Sequence, residues 1–275
     1  MNLLVKDILS TAESSKTIKE AEKIIKFVKN HHIVKAKFDE KRIVANIPRS
    51  LTMPVSTRWL SQFNSMNDLC MAKYVLIQIA DEENASLKEI AAKTNSAAVL
   101  TLIKSNAFWD RLAKLVKDIE YPSNIIGRLE NDDAPLSLVY YYFGEMYKKF
   151  ANEEIIQEMV MKRFKFLITS NMGIAYMLTP KYAAEGFYFG EDKTDIISSI
   201  SELASKTNPT IAETVKNKMI EFVGEMTTLT EKRKETIFKM SAKNYWNIVG
   251  RQKYPAVFEV AKSIVEMICS SAIAE

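Results

Sequence analysis

Side chains able to do chemistry are scattered through this sequence, not grouped. His31 and His32 are its two histidines. Being adjacent, they diverge by about 100° on a helix and cannot share a metal ion, so they read as a solvated helix end. Cys70 and Cys269 are its two cysteines. That usage excludes a disulfide framework or a zinc-ligand spacing, and a reducing compartment is the default. Glu130, Asp132 and Asp133 form one dense group of carboxylates. A magnesium ion could sit on such a group, but acids ahead of an apolar helix also complement its dipole, and a polar helix entrance is the preferred reading. The seven glycines are scattered, which excludes a glycine-rich phosphate loop. No serine sits in a glycine-framed elbow. By residue type and spacing alone, no reaction and no metal site is assigned.

The elements that would position such residues are helices. Glycine is scarce, seven in 275 residues, and proline numbers seven; chains rich in hairpins need many more turn residues. Apolar residues at 47% and charged ones at 26% are those of a globular chain. Thr17–Val28 carries Ile18, Ala21, Ile24, Ile25 and Val28 on one face, with Lys19, Lys23 and Lys26 opposite. Thr57 reads as the N-cap of a helix with Trp59, Leu60, Phe63, Met66, Leu69 and Cys70 on one stripe, and Ser86 with Glu89 as a capping box. The stripe Trp109, Leu112, Leu115, Val116, Ile119 should stop before Pro122, and a new helix should begin at Pro135. Glu153–Leu167 continues the pattern. Gly173, Pro180, Gly186 and Gly190 predict a loop over Met172–Asp192. Helices follow over Thr194–Ser205, Thr210–Met226 and Thr230–Met240, with a last one from Pro255 to near Cys269. Ile33–Ile47 reads as helix or loop, not strand. Trp109 and Trp246 read as core, as do most of the thirteen methionines and thirteen phenylalanines. The net charge of +4 is a mild excess. No apolar run approaches the ~18 residues of a membrane span, so no membrane partner is expected.

A family resemblance enters through the C-terminal residues. Tyr245-Trp246-Asn247, Gly250, Tyr254-Pro255, Val257, Ala261-Lys262, Val265 and Cys269-Ser270-Ser271-Ala272-Ile273-Ala274-Glu275 are similar to the C-terminal region of hAT-superfamily transposases. That pattern is W-W, a gap, then Y-P-x-L-x-x-x-A-x-x-x-L-x-x-x-x-S-S-A-x-x-E. Tyr245 departs from it at the first tryptophan, and Val257 and Val265 stand at its leucines. Pro54-Val55-Ser56-Thr57-Arg58-Trp59 resembles the family's T-R-W element. Ala175-Tyr176-Met177-Leu178-Thr179-Pro180-Lys181-Tyr182 resembles A-Y-x-L-x-P-x-Y, and Met1–Ile8 the stretch after its Cys/His element.

The resemblance implies an all-α, irregular multi-helix domain equivalent to the helical insertion of an RNase H-like transposase, without the catalytic sheet. On this pattern 1–13 is a helix of the RNase H-like core, 14–240 the insertion, and 241–275 the start of the C-terminal dimerisation region. The family's metal site takes two aspartates and one glutamate around two Mg²⁺ ions. The family's glutamate falls at Glu275, and both aspartates fall upstream of this sequence. Two cations ~3.5–4 Å apart need several anionic oxygens, so a catalytically incomplete, truncated transposase-like protein is expected, with no cofactor bound by this chain alone. Arg58 and Trp59 are the DNA-binding candidates: arginine can hold phosphate bidentately and an indole can stack on a base. The implied partners are DNA, weakly held, and a homo-oligomer or an intact transposase; the implied location is the nucleus, or otherwise the cytoplasm. The competing readings are a domesticated helical protein-interaction module and a fragment whose Glu275 completes a partner's metal site. Without a core sheet, Leu3, Leu4 and Ile8 should lack partners, which predicts modest stability and some aggregation.

Overall fold

Apolar periodicity and scarce glycine produce helices throughout. The protein is described by a computed structural model over residues 2–55, 59–82, 97–130 and 134–268; for Trp59 this covers the backbone alone. Among these residues the regular elements are helical, with one isolated bridge between Pro135 and Ile268. The chain divides into two compact units, Met1–Ile126 and Gly127–Glu275.

The first unit contains α1 (Asn2–Leu9), α2 (Ala12–Asn30), α3 (His32–Val44), α4 (Trp59–Met71), α5 (Lys73–Asp81), α6 (Ala97–Ile103) and most of α7 (Asn106–Leu129). Thr11 caps α2 by accepting from the Ser14 amide. The apolar stripe of α2 (Ala21, Ile24, Ile25, Val28) packs with Val34 and Phe38 of α3, Leu69 of α4, Leu76 of α5 and Trp109 of α7. Trp109 is buried, and its Nε1 donates to the Ile103 carbonyl at 2.7 Å. Of the ambiguous stretch Ile33–Ile47, the residues up to Val44 are helical and 45–47 form a turn and loop.

Two expectations fail here for tertiary reasons. Leu4 and Ile8 are buried, because α1 packs on α2 and α4; Leu3 alone of the three stays 40% exposed. The helix before Pro122 does not stop there but runs on to Leu129. An internal proline costs about 3 kcal/mol. Ile119, Ile125 and Ile126 are all buried, and each contributes roughly 1.5–3 kcal/mol, enough to carry the helix through.

The second unit contains α8 (Leu136–Lys149), α9 (Glu154–Leu167), α10 (Ser170–Met177), α11 (Pro180–Ala183), α12 (Lys193–Thr207), a 3₁₀ turn (Pro209–Ile211), α13 (Ala212–Thr228), α14 (Glu231–Ile237), α15 (Ala242–Tyr245), a π turn (Trp246–Gly250), α16 (Arg251–Lys253) and α17 (Pro255–Val265). Pro135 is the N-cap residue of α8, with an extended backbone, not its first helical residue. The loop expected over Met172–Asp192 holds for about half of it: residues 172–177 and Pro180–Ala183 are helical, α10 contains Gly173, and Ile174, Ala175, Tyr176 and Met177 are all buried. That burial outweighs the propensity cost of one glycine, about 1 kcal/mol.

Leu178–Thr179 and residues 184–192 are irregular in that stretch, and aromatic rings hold the longer segment. Phe189 stacks on Phe164 at 3.7 Å, Phe187 lies 5.5 Å from Tyr140, and Glu191 accepts from the Tyr140 hydroxyl at 2.7 Å. The last helix ends at Val265, short of Cys269. There the chain turns so that the Met267 carbonyl accepts from the Leu136 amide at 3.1 Å.

Candidate nucleic-acid interface

Residues 47–55 precede the T-R-W element, and α4 continues from it. Ser56, Thr57 and Arg58 lie outside the described residues; Trp59 opens α4. The segment leading in, 47–55, has no helix or strand partner, so side chains must hold it. Arg42 Nη1 donates to the Ile47 carbonyl at 3.2 Å, and Arg42 Nε pairs with Asp39 at 2.8 Å. Ser50 donates to the same Asp39 carboxylate at 3.2 Å. Arg49 pairs at 3.2 Å with Asp68, whose side chain is 5% exposed. Ser65, fully buried, donates to the Thr52 carbonyl at 2.6 Å, and Ser61 accepts from the Val55 amide at 3.2 Å. The approach to Arg58 is therefore fixed on α4 at three positions, Ser61, Ser65 and Asp68.

The electrostatics of the two acids differ. Bonds from Arg42 and Lys35 hold the Asp39 carboxyl below its usual range. Burial raises Asp68, against the pull of Arg49. Sequence reading missed this network. A usable signal was present: Ser65 and Asp68 are polar residues on a helix flanked by the apolar Met66 and Leu69, a placement that asks for buried partners.

The other sequence candidates fall as follows. Cys269, Asp132, Asp133 and Glu275 lie outside the described residues, as do the Thr57 cap and the Ser86–Glu89 box. Glu130 is exposed just past the end of α7. His31 joins α2 to α3, its Nδ1 2.7 Å from the Phe27 carbonyl and its ring 4.9 Å from that of Phe27. Cys70 is half-buried, and burial pushes its thiol up to about 11, which disfavours the reactive thiolate. Among the described residues no three His, Cys, Asp or Glu side chains gather as a metal site, and no helix is long and apolar enough to cross a membrane.

Two of the motif stretches meet in one core. Trp246 is buried, and its Nε1 donates to the Leu178 carbonyl at 2.7 Å across 68 positions of sequence. Tyr176 and Tyr182 stack at 4.8 Å and 4°. Phe222 of α13 fills between Trp246 and Tyr254, with ring centroids 5.1 and 5.8 Å away. Gly250 closes the π turn and leaves room for the indole: a Cβ there would lie 2.3 Å from Trp246 Cε3. Tyr254 donates to Glu225 at 2.5 Å; Lys253 pairs with the same carboxylate at 2.5 Å and Arg233 at 3.3 Å. Burial works to raise Glu225, but the bonds from Lys253 and Tyr254 outweigh it and hold the carboxyl below its ordinary range. The buried motif aromatics serve packing, while Thr179, Lys181, Tyr182 and Val265 also line a surface cavity of about 470 Å³. No family model, no curated protein and no solved structure matches the chain.

Proposed function

We propose that this chain is the helical region of an hAT transposase-like protein, and that it handles DNA without forming a complete metal site by itself. The observation that carries the reading is the Trp246–Leu178 bond. It places the Y-W…Y-P stretch and the A-Y-x-L-x-P-x-Y stretch in one core. Contact between the two stretches is what two parts of one inherited fold require. On this reading those aromatic residues are scaffold, Arg58 and Trp59 engage DNA, and the two metal-binding aspartates belong to residues other than these 275.

The test is fluorescence anisotropy with labelled terminal-repeat or hairpin DNA across a salt series. The intact chain binds and weakens as salt rises. Trp59→Ala raises Kd about 5- to 150-fold, the equivalent of one stacked base at ~1–3 kcal/mol. Equal affinity of Trp59→Ala and the parent chain refutes the role given to Trp59. Nicking of DNA by the pure chain in magnesium buffer refutes the incomplete metal site. A helical interaction module is the second reading, favoured by Ile43 and Val44 at the end of α3, 64% and 81% exposed. It predicts self-association in sedimentation velocity that Val44→Asp abolishes, with no DNA binding.

A further inference from the structure

We infer that α2 is a phosphate-tracking rod: Lys16, Lys19, Lys23 and Lys26 follow the sugar-phosphate backbone of double-stranded DNA, independently of sequence. This deepens the reading above, adding a surface distinct from Arg58 and Trp59.

All four lysines are exposed. At 100° per residue they fall within an arc of about 80°, and at 1.5 Å per residue Lys16 and Lys26 stand about 15 Å apart. Successive phosphates of one strand advance about 3.4 Å along the duplex axis, so this rod spans roughly four of them. Of the acids beside the stripe, Glu20 is engaged elsewhere, by Arg111 of α7 at 2.7 Å, Glu22 pairs with Lys26 of the stripe itself at 3.5 Å, and Glu13 stands exposed one turn before Lys16. Lys16, Lys19 and Lys23 pair with no carboxylate among the described residues.

The charge is also local. Residues 1–126 carry 19 basic and 14 acidic side chains, whereas residues 127–275 carry 19 and 20. The positive excess of the chain therefore belongs to the unit that contains α2.

A linear polyanion is the partner that fits. A membrane surface is disfavoured because a helix lying on a bilayer offers an apolar face to it. The apolar face of α2, with Ala21, Ile24 and Ile25, is closed inside the core of its own unit. A rigid, evenly spaced row of point charges, without hydrogen-bonding side chains to read base edges, binds backbone and not sequence.

The experiment titrates the full chain against a labelled random-sequence 24-base-pair duplex between 50 and 200 mM NaCl. The triple variant K16Q/K19Q/K23Q is compared with K206Q/K216Q/K239Q, which removes the same charge from exposed positions of the second unit. Circular dichroism checks that both are folded. Three lost phosphate contacts lower the slope of log K against log salt by about 2.7, at about 0.9 each. The stripe variant should show that drop and a Kd raised at least tenfold at 100 mM salt, and the control should keep the parent slope. Equal behaviour of the two variants, no binding of the random duplex by the parent chain, or a stripe effect seen only with phosphatidylserine vesicles overturns the inference. Terminal-repeat binding sensitive to Trp59→Ala reports on the proposed function separately, so either idea can fail without the other.

Discussion

Replacing Gly144 by alanine sets two effects of opposite sign against each other, and the structure decides which wins. Gly144 lies in the middle of α8, where alanine is favoured by up to about 1 kcal/mol. However, a Cβ there would lie 2.1 Å from Cγ of Tyr188 and 2.2 Å from its Cδ2. Ordinary carbon contacts are about 3.5–4 Å, so the ring must move by more than an ångström. It is not free to do so. Its hydroxyl donates to Glu145 at 2.8 Å, its amide donates to the Tyr140 hydroxyl at 3.2 Å, and Lys148 sits 4.3 Å over its face. Overpacking of this kind costs about 1–3 kcal/mol. Losing the Glu145 bond adds roughly 1.5 kcal/mol, the low end for a charged acceptor because Glu145 is partly exposed. After subtracting the propensity gain, Gly144→Ala should destabilise by about 1.5–3.5 kcal/mol, a Tm fall of roughly 3–14 °C. Gly224→Ala is the matched control: Gly224 is mid-helix in α13 with nothing within 4 Å of its Cβ position, so it should stabilise by up to about 1 kcal/mol. Urea unfolding followed at 222 nm gives both values. A Gly144→Ala protein as stable as the parent would refute the claim that Tyr188 locks residues 184–192 onto α8.

Other outcomes follow from the same contacts. Trp246→Phe leaves the Leu178 carbonyl without its donor and a gap beside Phe222, and should cost about 2–4 kcal/mol in urea unfolding. Glu225→Gln leaves Lys253 and Arg233 without their carboxylate and weakens the Tyr254 bond, and should cost about 1.5–3 kcal/mol at pH 7. Because the folded Glu225 carboxyl is depressed, its contribution is complete above its unfolded value, near 4.5, and is lost as pH falls through the lower folded value; the stability difference between Glu225→Gln and the parent should therefore shrink in unfolding curves taken toward pH 3. Ser65→Ala removes the bond that seats Thr52 on α4 and should cost about 1–2 kcal/mol; on the proposed function it also weakens hairpin-DNA binding without touching DNA, whereas unchanged anisotropy would show that the approach to Arg58 needs no such seat.

Local rules determined the class of this protein. Few glycines and long 3.6-residue periodicities leave helices as the way to satisfy the backbone, and the stripes of α2 and α7 identify their buried faces. Large aromatic rings seek burial wherever the chain permits, so Trp109 and Trp246 were legible as core. What stayed hidden depends on partners distant in sequence. Pro122 and Gly173 look like helix breakers, and buried neighbours overrule both. Leu4 and Ile8 look orphaned until α1 meets α2 and α4. The candidate site divides the same way. Arg58, Trp59 and Glu275 come from motif spelling, and Arg58 and Glu275 lie outside the described residues. The network of Arg42, Arg49, Ser65 and Asp68 that delivers the chain to Arg58 is invisible in spelling. Hydrogen bonds and packing act over a few ångströms of space, and only the folded chain says which residues lie that close.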